Sequence, residues 1–337
     1  MSIAVSPDIS IVIVSWNGRR FLEPCLDALL AQRGPDFEVV LVDNGSTDGT
    51  SGLVASRFPA VRLVTLQENR GFAGGSNTGA SAARGRFVAF LNNDTVPEAG
   101  WLAALRAGID EAAGVLLTTS RIVYMHDATI VDSAGDGMFR WGGAFKRHHG
   151  GRAEQALVSG EVFGVCGGAC LIRRDVFDEL GGFDEAFFAS HEDVDLSYRA
   201  RLRGYRCGYV ADAVVRHHGS ATLGRVSPFA VFHGQRNLEW VYLKNTPASL
   251  LVRTIAGHLL YDLAAAAYFA RRGMLVPFLK AKGAALAAVP RVLRQRGEIQ
   301  RTRRVDSQAI ERHLTRGWLA AKWREKRFDV SLTAGAR

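Results

Sequence analysis

Carboxylates and the histidine pair His217-His218 punctuate this chain where acid–base and cation chemistry could be done. Asp43 stands just after the apolar run Phe37–Val42, and Asp94 closes Asn92-Asn93-Asp94 just after Phe87–Leu91. His191-Glu192-Asp193-Val194-Asp195 opens a helix-compatible stretch, and His217-His218-Gly219 follows the strand-like Ala213–Val215. A carboxylate at a strand end can accept from a base or ribose, or ligate a hard divalent cation; a separate one can act as general base. Each position also has an architectural reading. Asp48 fits a helix cap, Ser190 with Asp193 a capping box, and Asp195–Arg199 an i,i+4 ion pair, which is the preferred reading for Asp195. Asp43 comes too early to cap, so ligand contact is preferred there. For Asp94, spacing alone leaves a metal ligand level with a turn that starts a helix at Pro97. The acidic first turn at Glu192 and Asp193 can serve both capping and chemistry. Adjacent histidines in an extended chain face opposite ways, so at most one of His217 and His218 joins a shared ion; the nearby carboxylates favour His217.

These side chains need a frame. The β-branched runs Ile9–Val14, Phe37–Val42, Val61–Leu66 and Phe87–Leu91 read as buried parallel strands, with helix-compatible stretches Arg19–Gln32, Thr50–Phe58 and Ala73–Arg84 between them. Strand–helix–strand repetition implies an α/β fold with a mostly parallel sheet and helices on both faces. Ligands in such sheets sit beyond the carboxyl ends of the strands. Ser15-Trp16-Asn17-Gly18, Asp43-Asn44-Gly45-Ser46, Gln67–Gly71 and Asn92–Asp94 should therefore open at one edge. Residues 125–160, rich in Gly, His and aromatics, read as a hairpin or irregular insertion. Val162–Ile172 reads as one strand, Glu192–Arg203 as a helix, and Tyr205–Val210 with Ala213–Val215 as strands.

Charge divides the chain. Residues 1–243 carry 23 Lys/Arg against 27 Asp/Glu, a balance of −4; residues 244–337 carry 19 against 6, a balance of +13. A basic tail on a mildly acidic domain suggests an anionic partner. Ala248–Ala270 reads as a helix with one polar stripe of Arg253, His258 and Asp262, and Met274–Gln295 repeats the pattern, which fits in-plane amphipathic helices. Long Ala/Leu runs without aromatic platforms favour a membrane surface over nucleic acid. The bland alternative is a solvated helical appendage. Cys25, Cys166, Cys170 and Cys207 form no CxxC pair and read as buried thiols of a reducing compartment; no signal peptide is evident.

Taken together, Val12–Gly18, Val42–Asp48, Asn69–Asn77, Leu91–Asp94, Gly167-Gly168-Ala169, Gly182–Glu185, Glu192–Leu196 and His217-His218-Gly219-Ser220 resemble family 2 glycosyltransferases of the GT-A (Rossmann-like) fold, particularly the bacterial rhamnosyltransferase-like branch. The resemblance covers about residues 9–245 and implies a catalytic domain at 1–245 followed by a basic helical region at 246–337. It implies inverting transfer of a sugar, with rhamnose the first expectation, from a dTDP- or UDP-linked donor to a hydroxyl of a glycan or lipid-linked acceptor. By position, Asp43 would contact the nucleobase, with Ser15, Trp16 and Asn17 lining its pocket. Asn44, Arg70, Gly71, Asn77, Asn92 and Asn93 would complete the nucleotide-sugar site. Gly167 and Gly168 would let backbone approach the transferred sugar or acceptor. Asp94 and His217 would hold Mg2+ or Mn2+, and Asp193, with Glu192, would be the general base. Asn92 departs from the family's Asp-x-Asp motif and removes one charge from the cation site. The implied place of work is cytoplasmic, on the inner face of the plasma membrane. Two rival readings are a nucleotidyltransferase, disfavoured by the single glycine in Ser15–Arg20, and a catalytically degenerate membrane- or nucleic-acid-binding protein.

Overall fold

The computed structural model describes residues 6–219 and 227–334, the last six as backbone only; Ser220 of the His-His-Gly-Ser motif lies outside them. The amino-terminal half is built from β1 (Ile9–Ser15), α1 (Arg19–Leu30), β2 (Phe37–Asn44), α2 (Thr50–Arg57), β3 (Arg62–Leu66), α3 (Gly71–Ala82) and β4 (Phe87–Asn92). β4, β1, β2 and β3 lie side by side in that order, all parallel. The chain therefore runs one way from β1 and then reverses to β4, placing a topological switch point at the ends of β1 and β4. Ser15 pairs with Asp43 and Val14 with Asn92, so three of the expected binding loops start at one level of the sheet. Ile9, Ile11, Val12 and Ile13 are fully buried, as a central strand covered on both faces requires. α3 is glycine-rich because it lies almost on the sheet. A Cβ at Gly79 would sit 2.3 Å from a Val12 methyl, so close packing offsets the poor helix propensity.

The sheet continues beyond β4. β5 (Thr95–Pro97), α4 (Trp101–Ala107), β6 (Val115–Tyr124), β7 (Val131–Ser133), β8 (Asp136–Met138), β9 (Ala144–Lys146), β10 (Gly160–Val162), β11 (Ala169–Arg173), α5 (Arg174–Glu179), α6 (Glu192–Leu202) and β12 (Arg206–His217) follow. β11 inserts antiparallel between β4 and β6, and β12 runs parallel to β6 on the other side. The segment expected as one strand, 162–172, is two, β10 and β11. The turn at 163–168 carries Gly164, Gly167 and Gly168, and its Gly167 N–H leaves the sheet to bond Asp193. β12 is continuous where two strands were expected, with a register shift between Val210 and Val214. The helix expected at Pro97 begins at Trp101, after β5.

The carboxy-terminal region is helical: α7 (Pro228–Asn245), α8 (Ala248–Ala270), α9 (Leu275–Ala287), α10 (Val289–Arg301), α11 (Ser307–Arg312) and α12 (Trp318–Ala334). The expected 274–295 helix breaks at Ala288, where Pro290 cannot donate its backbone N–H. Packing continues across residue 245: Val194, Tyr198, Leu238, Val241, Leu250, Val292 and Ile310 share one apolar cluster. Beneath it, Lys244 is almost fully buried with Nζ 2.9 Å from Asp184 and 2.8 Å from Asp195. Asp195 also accepts from Arg199 Nε at 2.8 Å and Asn245 Nδ2 at 2.7 Å. The i,i+4 pair read for Asp195 is thus one edge of a buried network tying α6 to α7. The polar stripe of α8 faces the protein. His258 bonds the Trp141 carbonyl and Glu239, Lys282 reaches Glu239 and Asp262, and Arg253 pairs with Glu311.

Candidate active site

Strand register explains why distant motifs meet. β5 pairs antiparallel with β12, His217 opposite Thr95, so the imidazole lands beside the preceding Asp94. His217 Nε2 lies 3.3 Å from Asp94 Oδ1 and His217 Nδ1 lies 2.6 Å from Asp132 Oδ2. His218 faces the other way, its ring tilted against Phe21 at 5.0 Å between centroids, while its N–H bonds the Asp94 carbonyl. β7 brings Asp132 in against β6, where it also accepts from Tyr124 Oη at 3.0 Å and Lys146 Nζ at 3.0 Å. The paired carboxylates outweigh burial and raise His217 to about 9, while Asp132 is held, against burial, well below the usual carboxylate range by Lys146, His149 and His217. Neither Asp132 nor Lys146 was identified from the sequence. The available signal was a carboxylate inside the β-branched run Ile130-Val131-Asp132, which burial obliges to find partners.

Asp193 sits across the same cavity. The expected capping box does not form: Ser190 and His191 take left-handed backbone conformations, φ 74° and 67°, and no side chain caps α6. The Asp193 carboxylate instead accepts from the Gly167 and Val194 backbone N–H groups, both at 2.8 Å. A Cβ on Gly167 would crowd Asp193 at 3.2 Å, and one on Gly168 would meet the Asn92 amide at 3.1 Å, so these two positions require the close approach glycine allows. Burial raises Asp193 above the ordinary aspartate range despite its two donors. Burial and the Asp193 charge raise its neighbours Glu192 and Asp136 well above theirs. Among these three carboxyl groups Asp193 carries the Gly167 and Val194 N–H donors, which favour its charged form against burial. Asp136, Cys166 and Asp193 place donor atoms within 4.8 Å of one another in a buried corner of the site, where burial raises both the thiol and Asp136.

A cavity of about 770 Å³ runs along the strand ends, lined among others by Trp16, Asn44, Gly71, Asn92, Asn93, Asp94, Gly167, Gly168, Glu192, Asp193 and His217. A second chamber of about 300 Å³ adjoins it, with Asp132, Lys146, Cys166, Ser190, Glu192 and Asp193 common to both. Tyr124, Asp136, Phe145, His149 and, from α12, Lys322 and Glu325 are among the other residues lining the second chamber.

Several expected binding residues do structural work. Asp43 is buried, accepting from the Ser46 N–H at 3.0 Å and from Ser51 Oγ, and does not line the cavity. Ser15 is held by Asn93 Nδ2 at 3.0 Å, and Asn17 accepts from Thr47 N–H at 2.8 Å. Asn44 clamps the Asn69–Gly71 loop, donating to Asn69 and the Gly71 carbonyl and accepting from Arg70 N–H. Arg70 pairs with Glu185 at 2.7 Å, and Asn77 binds Phe183 backbone and Glu185. Asp48 joins both loops, accepting from Thr50 and from Arg19 N–H at 2.9 Å.

Comparison with known proteins agrees with this geometry. The family model for Glycosyl transferase family 2 matches residues 10–181. The N-acetylglucosaminyl-diphospho-decaprenol L-rhamnosyltransferase of Mycobacterium tuberculosis is 30% identical over 246 residues, covering 64% of this chain and 77% of that protein. The O-antigen biosynthesis protein RfbC of Myxococcus xanthus is 31% identical over 235 residues, although the chain spans only 18% of its length. Among solved structures, Staphylococcus aureus TarS 1–349 in complex with UDP-GlcNAc superposes with TM-score 0.56 at 20% identity, covering 91% of this chain and 89% of that one. The Pyrobaculum calidifontis mannosyltransferase PcManGT, in complex with GDP-Man and Mn2+, gives 0.53 at 22%, covering 91% and 87%. The fold is GT-A, and the chain belongs to glycosyl transferase family 2.

Proposed function

We propose that this protein transfers a sugar, rhamnose being the first candidate, from a dTDP- or UDP-linked donor to a hydroxyl of a lipid-linked glycan, with inversion at the anomeric carbon. The observation that carries the reading is that Asp193 lines both chambers, one open to the switch point of the sheet and one walled by Tyr124 and Phe145. Donor at the strand ends and acceptor sugar in the smaller chamber would meet at its carboxylate. The likeness to an N-acetylglucosaminyl-diphospho-decaprenol L-rhamnosyltransferase supports the donor sugar and the lipid-linked acceptor class.

The donor set of Asp94, His217 and the amide of Asn92 fits Mg2+ or Mn2+, with one carboxylate, one imidazole and one neutral oxygen. Bound there, the cation would supply positive charge to the departing diphosphate. The protein's own residues do the rest. Asp132 holds the His217 ring through Nδ1 and so aims Nε2 at the Asp94 side. The Gly167 N–H fixes the Asp193 carboxylate, which takes the acceptor proton as the hydroxyl attacks from the face opposite the leaving group. Burial and the neighbouring Asp193 charge disfavour ionisation of Glu192 and Asp136, which favours Asp193 as the acceptor of that proton. Such work would take place at the inner face of the plasma membrane, where lipid-linked acceptors lie. Incubation with a panel of nucleotide-sugars, with and without Mn2+ or Mg2+, should raise the melting temperature with one donor class and show slow donor hydrolysis. No response to any donor would count decisively against transfer.

A further inference from the structure

α8 is built inside out. Its inward stripe is polar at Thr254, His258 and Tyr261, all buried, with Asp262 reaching Lys282. Its outward stripe is apolar: Val252 is 76% exposed, Leu259 61% and Leu263 69%, with Ile255 and Leu260 beside them. From Ile255 to Ala270 the one charged residue, Asp262, points inward, so about four turns of the outer face carry no charge. α9 packs beside α8 and extends the surface with Val276, 62% exposed, and Leu279. A surface helix ordinarily turns its apolar stripe to the core, and an outward apolar patch of this extent marks an interaction site.

We infer that the outer face of the α8–α9 hairpin docks on an anionic lipid bilayer, an inference that rests on the membrane-linked acceptor proposed above and names the surface that would meet the membrane. Charge selects the occupant. Arg271 and Arg272 stand exposed between the two helices and Lys280 stands exposed on α9, within a region of 19 Lys/Arg against 6 Asp/Glu. A second copy would bring the same balance of +13 against itself, whereas an acidic headgroup layer attracts it and accepts the leucines beneath. Among the described residues, α8 is the one helix long and apolar enough to cross a bilayer. Its His258 and Asp262, however, are bonded to α7, α9 and the Trp141 loop, so the helix lies against the protein and presents one side.

The test uses the full chain and sedimented vesicles of phosphatidylcholine, alone or in equal parts with phosphatidylglycerol. Wild type should pellet with the mixed vesicles and far less with phosphatidylcholine alone. Leu259→Glu/Leu263→Glu should weaken pelleting about tenfold or more, and Arg271→Glu/Arg272→Glu should erase most of the preference for acidic lipid. All variants should keep the wild-type circular dichroism spectrum and donor hydrolysis rate. Wild type left in the supernatant of acidic vesicles overturns the inference, as does a leucine variant that pellets normally. A concentration-dependent dimer abolished by the leucine changes, without vesicle binding, reassigns the face to a second copy and overturns it too. Donor hydrolysis is read in the same samples, so loss of the transferase reading and loss of the docking face are separate results.

Discussion

Replacing Asp193 with Asn tests the assignment of the base with little geometric disturbance. The amide oxygen keeps the 2.8 Å bond from the Gly167 N–H, but the amide nitrogen then faces the Val194 N–H, donor against donor. Losing one buried bond costs about 1–3 kcal/mol. Removing a buried charge beside Glu192 and Asp136 returns part of that, because burial already disfavours the ionised form. The net loss should stay within about 2 kcal/mol, so the variant folds. Catalysis should fall far more, by about 10²–10⁴ in kcat, since the amide cannot take a proton. Single-turnover transfer measures the chemical step, and calorimetric titration of the donor with Mn2+ measures binding, which should be nearly unchanged. In wild type the acid limb of kcat/KM should lie above the ordinary aspartate value of 3.8, because the folded protein raises this group; the variant should lack that limb. Transfer within about tenfold of wild type would refute the assignment, and a weakened donor Kd with intact kcat would make Asp193 a binding residue.

Three further outcomes follow from the same geometry. Asp132→Asn removes the charged partner of His217 Nδ1 and should weaken Mn2+ binding by about 10–100-fold in calorimetry while leaving metal-free nucleotide binding intact. Lys244→Met strips the cation from Asp184 and Asp195 together, and urea denaturation at neutral pH should show a loss of about 3–5 kcal/mol. Asp184 is mostly buried and lowered to about 2, chiefly by Lys244, which overcomes the burial penalty. Its stabilising contribution is therefore complete above its unfolded pKa near 3.8 and disappears as pH falls toward 2. Asp184→Asn should lose about 2 kcal/mol less than wild type across that acid window, read from urea midpoints.

The parallel half of the sheet was legible because its strands are continuous β-branched runs and its loops end in polar residues; both signals are local. The Asp94–His217 meeting was half legible. The strand ends were visible, but the antiparallel β5–β12 pairing that joins them spans more than a hundred residues and leaves no local trace. Asp132 was missed for the same reason: its worth lies in the β6–β7 pairing inside an insertion whose composition looked irregular. Asp43 carries a part no strand-end pattern announces: its carboxylate accepts from the Ser46 N–H and from Ser51 Oγ, so besides the ligand contact its motif suggests, it shapes the loop that other groups use. The α8 stripe was seen as a stripe but assigned no direction, because periodicity gives the angle between two faces and not which one meets the core. Only the partners of His258 and Asp262 decide that, and they decide it against the ordinary orientation. Polar groups that bond one another can be buried cheaply, while the leucines they displace outward remain in water. An arrangement that leaves Leu259 and Leu263 in solvent is unfavourable for an isolated soluble chain and becomes favourable once a lipid surface removes them from water.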